Sequence, residues 1–348
     1  MLSVFNSKTL RSMRSVVAAI MCLALFYSFY TGWNPIHISL PNPKTSFKPV
    51  GTGNIDSISH APASDDLSGT RTSIHNIPDK VWHSAKNYNL SEQQRKWVNS
   101  WTDIDRYSRQ ELLTDYSSET FVRTYYHQTR PDIVEVYESL SIPILRADLL
   151  RYLIILAEGG YWSDLDVTLE KSVAEWVPLQ YKDQNIDMIV GLEFDLSYRG
   201  PGTEVASQFC NWVFAAQPSS RNLQVIVDSV INTLKGISNT NSVPISGITL
   251  EMLSDVVNVT GPKIMTIAIL ESLGKLLGRT VDDRDFSGIK YPKLVGDVLI
   301  MPGVSFAARQ NGYPTDQGEA LVTHHYEGSW KKADAEAKEK KKQKGQEQ

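Results

Sequence analysis

The chain has 348 residues, of which 41% are hydrophobic and 21% are charged, and its formal net charge is −4. These values are ordinary for a folded protein, so the composition excludes a chain that is disordered throughout. The small negative charge provides no broad basic surface, which argues against nucleic acid as a partner. Of the two cysteines, Cys22 lies in an apolar N-terminal run. A disulfide framework is therefore excluded, and Cys210, in an apolar stretch of its own, is expected to be a buried thiol.

The N-terminal region predicts a membrane anchor. Three cations among residues 1–15 precede an uncharged apolar run from Val16 to Trp33. A helix of this run, at about 1.5 Å per residue, is about 27 Å long and matches a thin bilayer core. The cations predict a cytoplasmic N-terminus and a lumenal C-terminus, the topology of a single-pass type II membrane protein. A cleaved signal peptide is the alternative, but the run ends in aromatic residues that suit a membrane interface.

Composition separates the rest of the chain into three parts. Residues 34–73 are rich in Pro, Ser, Thr, Asn and Gly and show no periodicity, so they are expected to form a flexible stem. Residues 74–330 combine helical and strand patterns, which predicts an α/β domain with a mixed or parallel sheet. The Lys-rich residues 331–348 cannot build a core and are expected to be disordered or to form a solvated helix.

Several elements of the α/β domain can be predicted individually. Ser91 and Gln94 have the spacing of a capping box that opens a helix. Strands are expected at 187–194 and 297–301. One helix is indicated by an apolar stripe with a period of 3.6, formed by Leu223, Ile226, Val227, Val230, Ile231 and Leu234.

The segment from Pro143 to Ser172 contains the most informative pattern. A helix is predicted over 147–158, and Asp148 and Arg151 share one of its faces. Two glycines follow, and then residues 162–169 alternate like a strand that includes an Asp-x-Asp pair, Asp164 and Asp166. Two carboxylates at i and i+2 of a strand point to the same side and repel each other. A bound Mn²⁺ or Mg²⁺ would relieve this repulsion, with phosphate oxygens and water as further ligands.

Four stretches of the chain, in this order, resemble one known family. They are IPDKVW (77–82), RADLLRY with EGGYWSDLD (146–166), QFCNWVFAAQP (208–218) and HHYEGSW (324–330). They resemble the fungal glycosyltransferases of family 32, the D-x-D sugar transferases similar to the initiating α-1,6-mannosyltransferases of the yeast Golgi. The resemblance spans about residues 74–330 and implies a GT-A fold, a Rossmann-like α/β domain whose D-x-D motif lies at a strand end and faces the donor.

The resemblance also implies a metal site. Asp164 and Asp166 match the catalytic motif that binds the metal and the donor diphosphate. His324, in the closing motif, is implied to complete the metal shell or to contact the diphosphate. His325 is an open alternative, because one sequence does not say which histidine faces inward.

Further positions are implied to bind the donor. Asp148 and Arg151 match positions that contact the donor sugar or its ribose-phosphate part, and Trp82 matches a position beside the nucleobase. Trp162 belongs to the same donor-binding set, although it stands where the family more often has Tyr, so any hydroxyl contact would be absent. The residues after Thr260-Gly261-Pro262 also depart from the family pattern, which puts the acceptor preference in doubt more than the catalysis.

The activity implied by the resemblance is retaining transfer of mannose from GDP-mannose to an N-glycan or mannan acceptor. It would take place in the Golgi lumen, and a Golgi glycosyltransferase complex is a further expected partner. A metal held by Asp164 and Asp166 would neutralise the charge that develops on the leaving diphosphate. The sequence singles out no nucleophile, although Asp148 and Glu193 are carboxylates that could be considered.

Other functions remain open at this point. A sphingolipid-headgroup mannosyltransferase of the same family is ranked lower, because such relatives tend to carry additional apolar membrane segments. Another nucleotide sugar could also be the donor, since a D-x-D motif recognises metal and diphosphate rather than the base. A non-catalytic subunit of a mannan-synthesising complex is favoured by the altered residues around Lys263 and disfavoured by the intact Asp pair. A metal-dependent phosphohydrolase would need additional carboxylate and histidine clusters.

Overall fold

The computed structural model describes residues 73–196, 205–308 and 318–328. The predicted anchor, the predicted C-terminal tail and all but the last residue of the predicted stem lie outside these ranges. Among the described residues, one helical stretch, Val256–Leu277, has the length and apolar composition of a membrane span. Two thirds of its most apolar 18 residues are buried inside the fold, so packing in the domain core accounts for its apolar residues.

The described part contains helices on both sides of a central sheet. The helices are α1 (Glu92–Ile104), α2 (Asp115–Tyr126), α3 (Pro131–Ser139), α4 (Pro143–Glu158), α5 (Arg221–Asn241), α6 (Val256–Val259), α7 (Pro262–Leu277) and α8 (Gly303–Ala307). Short 3-10 turns lie at Val173–Glu175, Leu179–Tyr181, Ile245–Gly247, Leu250–Met252 and Asp283–Asp285.

The strands form one large mixed sheet and two small antiparallel pairs. They are β1 (Ser73–Ile74), β2 (Ile77–Pro78), β3 (Lys80–Ala85), β4 (Arg109–Thr114), β5 (Gly160–Ser163), β6 (Val167–Leu169), β7 (Met188–Asp195), β8 (Ser207–Phe209), β9 (Val213–Ala216), β10 (Lys293–Val295), β11 (Val298–Met301) and β12 (Val322–His324). In the part that the structure describes, β1 pairs with β2 and β6 pairs with β12.

The central sheet places the ends of two strands at one edge. Its order within the described ranges is β10-β11-β7-β9-β5-β3-β4, and β8 pairs with the end of β7. Strand β9 runs antiparallel between β5 and β7, so β5 and β7 run in the same direction. Their carboxyl ends therefore lie at the same edge, which is where open α/β sheets bind ligands. The predicted α/β class with a mixed sheet is confirmed.

Alternate residues of the strands supply two separate apolar cores. Trp162 and Phe214 point to the face covered by α2, α3, α4, α5 and α7. Tyr161 and Ala215, their neighbours in sequence, point to the other face, where α8 and the β6–β12 pair contribute. This alternation is what a strand requires when both of its faces are buried.

Most of the elements predicted from local patterns are confirmed. The capping box of Ser91 and Gln94 opens α1 with both of its reciprocal hydrogen bonds. The apolar stripe from Leu223 to Leu234 lies on α5 and is buried throughout. The two strands predicted at 187–194 and 297–301 are β7 and β11, each beginning one residue later. Helix α4 begins four residues earlier than predicted, at Pro143, because proline is favoured in the first turn of a helix.

The predicted strand over 162–169 is wrong at its centre. Strand β5 ends at Ser163, which pairs with Val213 in the central sheet, whereas β6 begins at Val167, which pairs with His324. Between them the amide of Asp164 donates to the carbonyl of Trp212 (2.8 Å), and the amide of Val167 donates to the carbonyl of Asp164 (3.3 Å). The chain leaves one sheet and enters another here, so the two aspartates lie on a turn and not on one face of a strand.

Candidate active site

Helix α4 and strand β5 follow each other directly, through Gly159 and Gly160. Both glycines have positive φ angles, +68° and +102°, which residues with a Cβ rarely adopt. A Cβ on Gly160 would also collide with the carbonyl oxygen of Lys80, and one on Gly159 would collide with Pro218. The turn therefore requires glycine at both positions. Its consequence is that the buried helix α4 is fixed beside the end of β5, where the Asp-x-Asp turn begins.

Arg151 on α4 links three parts of the site. Its Nη2 lies 3.0 Å from Oδ1 of Asp148, and its Nη1 donates to the carbonyl of Asn211 at 2.7 Å. The same Nη1 lies 3.5 Å from the carboxylate of Asp164. Burial lowers the pKa of this guanidinium, but the charges of Asp164 and Asp148 outweigh that effect and raise the pKa. Arg151 therefore remains a buried cation that holds Asp164 in place.

Asp148 is buried, and both of its carboxylate oxygens contact protein groups. In addition to Arg151, its carboxylate accepts hydrogen bonds from Nδ2 of Asn211 (3.2 Å) and Oγ1 of Thr260 (2.8 Å). Burial raises the pKa of Asp148, while Arg151 and these two donors oppose the shift. The donor contact expected of Asp148 and Arg151 stays a prediction, because both side chains are engaged with the protein.

Two members of this network were not singled out by the sequence. Asn211 lies inside the QFCNWVFAAQP block, and Thr260 begins the block in which the chain departs from the family pattern. The hydroxyl of Tyr152 on α4 donates to the carbonyl of Thr260 (3.0 Å). Their positions in two motif blocks were the only available signal, since the contacts with Asp148 span 63 and 112 residues of sequence.

Of the two motif carboxylates, Asp164 is the one whose ionised form is disfavoured in the folded protein. Its side chain is 26% exposed, and it accepts a hydrogen bond from Nε1 of Trp162 at 2.8 Å. Burial raises its pKa to about 6, and the neighbouring charge of Asp166 adds to the effect, whereas Arg151 opposes it. Trp162 is thus a direct support of Asp164 through its indole N–H, and its predicted contact with the donor stays a prediction.

Asp166 is held by the closing motif of the chain. Its Oδ2 lies 3.3 Å from Nε2 of His324 and accepts the backbone amide of Glu327 at 2.9 Å. Burial alone would raise its pKa, but the hydrogen bond and charge of His324, together with the Glu327 amide, hold the pKa below its ordinary value. The two aspartates of one motif therefore have pKa values shifted in opposite directions.

The structure distinguishes the two adjacent histidines. The ring of His324 stacks on Trp212 with centroids 4.4 Å apart, and it faces Asp166. The ring of His325 stacks on Trp97 of α1 at 4.6 Å, and its Nε2 lies 3.1 Å from the hydroxyl of Thr168. The ring of His324 faces Asp166 and that of His325 does not, while the functional role of either histidine stays a prediction.

The donor set at this edge fits a hard divalent cation that shares its coordination with a ligand. The ranges 73–196, 205–308 and 318–328 contain no group of three or more His, Cys, Asp and Glu side chains arranged to hold a metal by themselves. Asp164, Asp166 and His324 nevertheless place two carboxylates and an imidazole together. Mg²⁺ commonly binds to one or two protein carboxylates plus phosphate oxygens and water, and Mn²⁺ favours the same ligands. Burial raises the pKa of Asp164, and a bound cation would favour its ionised form.

Glu193 lies near the end of β7, close to the closing motif. Its Oε2 accepts a hydrogen bond from Nε2 of Gln208 at 2.7 Å. After burial, which is the largest cause, the charge of Glu193 contributes to raising the pKa of both Cys210 and Tyr326. Glu193 therefore faces the same region as Tyr326. Cys210 itself is fully buried, so the thiol expected there is confirmed.

Trp82 is a core residue in this structure. Its side chain is 1% exposed, and its Nε1 donates to the carbonyl of Gly159 at 3.0 Å. Its ring also makes an edge contact with Phe121, with centroids 5.8 Å apart. The indole thus braces the glycine turn that leads to Asp164, and its contact with a nucleobase stays a prediction.

Comparison with known proteins relates one segment of the chain to a family. Residues 91–183 match the family described as the glycosyltransferase sugar-binding region containing a DXD motif. The matched residues include helix α4 and the turn of Asp164 and Asp166. This segment of the chain is therefore similar to the DXD-containing glycosyltransferases.

The chain is similar to two fungal proteins that have been named. It is 29% identical over 261 residues to an initiation-specific alpha-1,6-mannosyltransferase of Schizosaccharomyces pombe, over 73% of this chain and 64% of the relative. It is 25% identical over 289 residues to the protein of the same name from Candida albicans, over 73% of this chain and 72% of that protein. The chain thus spans a little less than two thirds of the S. pombe relative. The solved structure of the PaToxG glycosyltransferase matches with a TM-score of 0.40 and 14% identity, over 57% of this chain and 71% of that one.

Proposed function

We propose that this protein is a metal-dependent glycosyltransferase with a GT-A fold that transfers mannose from GDP-mannose to a glycan acceptor. The observation that carries the proposal is the turn of Asp164 and Asp166 at the carboxyl edge of the sheet, with His324 against it. The names of the fungal relatives support mannose as the sugar and an α-1,6 linkage as the product. An anchored position in the Golgi membrane with the domain in the lumen, and retention of the anomeric configuration, belong to the same proposal.

The chemistry of the leaving group explains why the site needs this charge distribution. As the glycosidic bond of a nucleotide sugar breaks, the nucleoside diphosphate gains negative charge. A divalent cation held by Asp164, Asp166 and His324 would neutralise that charge and orient the diphosphate. Arg151 and Trp162 contact the carboxylate of Asp164, so its position is fixed before any ligand binds.

The contacts of Asp148 favour a positioning role over a nucleophilic one. Its two carboxylate oxygens accept from Arg151, Asn211 and Thr260. An attack on a sugar carbon would require these bonds to be broken inside the core, which is costly for a buried charge. Asp148 therefore anchors the site, and we assign no nucleophile.

A second acceptor class is favoured by one specific similarity. Over 95 residues, 27% of the chain, it is 32% identical to the mannosyl phosphorylinositol ceramide synthase CSH1 of Saccharomyces cerevisiae. The second candidate function is therefore mannose transfer to an inositol phosphoceramide. Both candidates use the same donor site and differ only in the acceptor.

The proposal is tested with the full 348-residue chain purified in detergent. GDP-mannose, GDP-glucose and UDP-glucose are each supplied with Mn²⁺ or with EDTA, and with either a mannosyl oligosaccharide or an inositol phosphoceramide. We expect Mn²⁺-dependent release of GDP from GDP-mannose and transfer to the oligosaccharide. An Asp166→Ala variant should lose the reaction, whereas Asp183→Asn, at an exposed aspartate, should retain it. A folded wild-type protein that neither binds nor turns over any donor would instead favour a non-catalytic subunit of a mannan-synthesising complex.

A further inference from the structure

Strand β3 contacts the start of the Asp-x-Asp turn through a fully buried histidine. The backbone pairing of β3 with β5 ends at Trp82 and Trp162, although β3 continues to Ala85. The next residue of β3 is His83, and the next residue of β5 is Ser163. The imidazole Nδ1 of His83 lies 2.8 Å from the carbonyl oxygen of Ser163. A side chain therefore continues the bonding between the two strands at the point where β5 ends.

The partners of His83 define which of its ring nitrogens carries the proton. The carbonyl of Ser163 can only accept a hydrogen bond, so Nδ1 is the donor. Nε2 lies 2.9 Å from Nε2 of Gln110, and that amide nitrogen also donates to the carbonyl of Val98 at 2.7 Å. The Val98 carbonyl fixes the orientation of the Gln110 amide, so Nε2 of His83 is an acceptor. Burial lowers the pKa of His83 to about 4, although the Ser163 carbonyl opposes this shift, so the ring is neutral near neutral pH.

The carbonyl of Ser163 belongs to the planar peptide unit that leads into Asp164. The carbonyl of this unit accepts from His83, and its N–H donates to the carbonyl of Trp212 at 2.8 Å. The next peptide unit is held through the carbonyl of Asp164, which accepts from the hydroxyl of Ser163 at 3.0 Å and from the amide of Val167 at 3.3 Å. Because both peptide planes that flank the Cα of Asp164 are held, the direction in which its carboxylate leaves the backbone is held as well.

Helix α1 connects His83 with the other end of the turn. Nε1 of Trp101, on α1, donates to the carbonyl of Val167, the first residue of β6, at 3.3 Å. The ring of Trp101 meets that of His83 edge-on, with centroids 6.4 Å apart. Gln110 joins His83 to the Val98 carbonyl of the same helix. Both ends of the Asp-x-Asp turn are therefore bonded to two fully buried rings that contact each other.

We propose that His83 is a positioning residue of the Asp-x-Asp site, because its Nδ1–H holds the peptide from which Asp164 projects. The inference rests on the proposed glycosyltransferase function, and it assigns the placement of one carboxylate to a residue that contacts neither metal nor donor. A buried carbonyl that loses its donor is costly, which favours a shift of the backbone. Loss of the bond from His83 should therefore turn the peptide and displace Asp164. Residues that orient metal ligands commonly change metal affinity or activity about 10- to 100-fold when they are replaced.

Two substitutions separate the two bonds of His83. The amide nitrogen of asparagine lies where Nδ1 of histidine lies, so His83→Asn keeps a donor for Ser163 and loses the contact with Gln110. The longer glutamine reaches the position of Nε2, so His83→Gln keeps the contact with Gln110 and loses the donor for Ser163. Both variants change the buried core and should lower the thermal midpoint of unfolding. A histidine with a purely structural role would make both variants lose activity alike, whereas a positioning histidine makes them differ.

The first measurement compares GDP binding and turnover in the full-length protein with Mn²⁺. In isothermal titration, His83→Gln should bind GDP at least about tenfold more weakly than wild type, and its kcat with GDP-mannose should fall at least about tenfold. His83→Asn should restore both quantities to within about threefold of wild type. Ile231→Val, at a buried residue of α5, is the control for lost stability and should lower the thermal midpoint without changing either quantity. Equal losses in the two His83 variants, or wild-type affinity and kcat in His83→Gln, would overturn the proposal.

A ligand-free measurement separates this inference from the proposed function. The indole N–H of Trp162 donates to Oδ1 of Asp164, so its ¹⁵N–¹H signal in EDTA reports the position of the carboxylate. Trp162→Phe assigns the signal, which should shift in His83→Gln and stay at its wild-type position in His83→Asn. If wild type binds neither Mn²⁺ nor GDP but the signal responds in this way, the positioning role stands and the proposed reaction falls. An unmoved signal in a folded His83→Gln variant would overturn the positioning role.

A measurement on the wild-type protein tests the bond itself and needs no folded variant of His83. In ¹⁵N-histidine-labelled protein, one neutral imidazole should be protonated at Nδ1 throughout pH 6 to pH 8, since its pKa of about 4 lies below this range. Protonation at Nε2 in every neutral imidazole would show that His83 does not donate to Ser163 and would contradict the proposal. Circular dichroism of each variant verifies that the fold is intact.

Discussion

The two carboxylates of the Asp-x-Asp turn should have opposite effects on stability when they are removed one at a time. The folded-state pKa of Asp164 is about 6, above its ordinary value of 3.8, because burial disfavours its charge. At neutral pH the ionised Asp164 therefore destabilises the fold, and this cost disappears as the pH falls. Burial would raise the pKa of Asp166, but the hydrogen bond and charge of His324 and the amide of Glu327 together hold it below its ordinary value. Its charge stabilises the fold at neutral pH, and this contribution is lost as the pH falls through its lowered pKa.

The magnitude for Asp164→Asn follows from its pKa. A rise from 3.8 to about 6 corresponds at pH 7 to about 3 kcal/mol of stability that the metal-free protein gives up. Asparagine is neutral and retains an oxygen to accept the indole N–H of Trp162. Asp164→Asn should therefore stabilise the metal-free protein at pH 7 by up to about 3 kcal/mol, and by about half of that at pH 5. Asp166→Asn should destabilise it by about 1.5–3 kcal/mol, the usual contribution of a hydrogen bond to a charged group.

Urea unfolding in EDTA at pH 7 and pH 5, followed by circular dichroism, measures both effects. Asp183→Asn removes a charge from an exposed aspartate and should leave the free energy of unfolding unchanged at both pH values. Both motif variants should lose transferase activity, which shows that the gain in stability comes at the expense of function. Destabilisation by Asp164→Asn at pH 7, or a gain that does not shrink at pH 5, would refute the reasoning from its raised pKa.

Two further predictions concern the residues around the turn. Arg151→Lys should reduce turnover at least about tenfold and lower the thermal midpoint of unfolding. The reason is that one ammonium group cannot bridge Asp148, Asn211 and Asp164 as the guanidinium does. An unchanged kcat in a folded variant would contradict this role. In isothermal titration with GDP present, His324→Phe should weaken Mn²⁺ binding about 10- to 100-fold. His325→Phe keeps an aromatic ring against Trp97 and should bind Mn²⁺ like wild type. Equal effects of the two histidine variants would remove the distinction between them.

The secondary-structure elements that depend on local patterns could be predicted from the sequence. The capping box at Ser91 sets the start of α1, and the stripe from Leu223 to Leu234 sets the buried face of α5, because both depend on neighbours within one or two helical turns. The grouping of the Asp-x-Asp pair with the closing histidines was also foreseen, since each motif block contributes one part of the site. The sequence named His324 for the metal shell and left His325 open, because the ring that faces Asp166 depends on long-range packing against Trp212.

The error at the Asp-x-Asp turn has a physical cause. All residues of β5 are buried, and β6 buries Val167 and Leu169, so nothing in the local pattern of residues 162–169 marks the break between the two strands. The break exists because β6 pairs with β12, which is more than 150 residues away in the sequence. The contacts of Asp148 with Asn211 and Thr260 are likewise long-range, and they follow from tertiary packing rather than from any local preference.

Binding of GDP to the full-length protein tests the central claim most directly, because it isolates the diphosphate and metal from the choice of sugar and acceptor. Isothermal titration is carried out with Mn²⁺ and with EDTA, for wild type and for Asp166→Ala. We predict that GDP binds wild type in Mn²⁺ at least about 100-fold more tightly than in EDTA, and that Asp166→Ala loses this difference. Equal affinities of wild type in Mn²⁺ and in EDTA, or metal-dependent binding that survives in Asp166→Ala, would contradict a metal-assisted diphosphate site at the Asp-x-Asp turn.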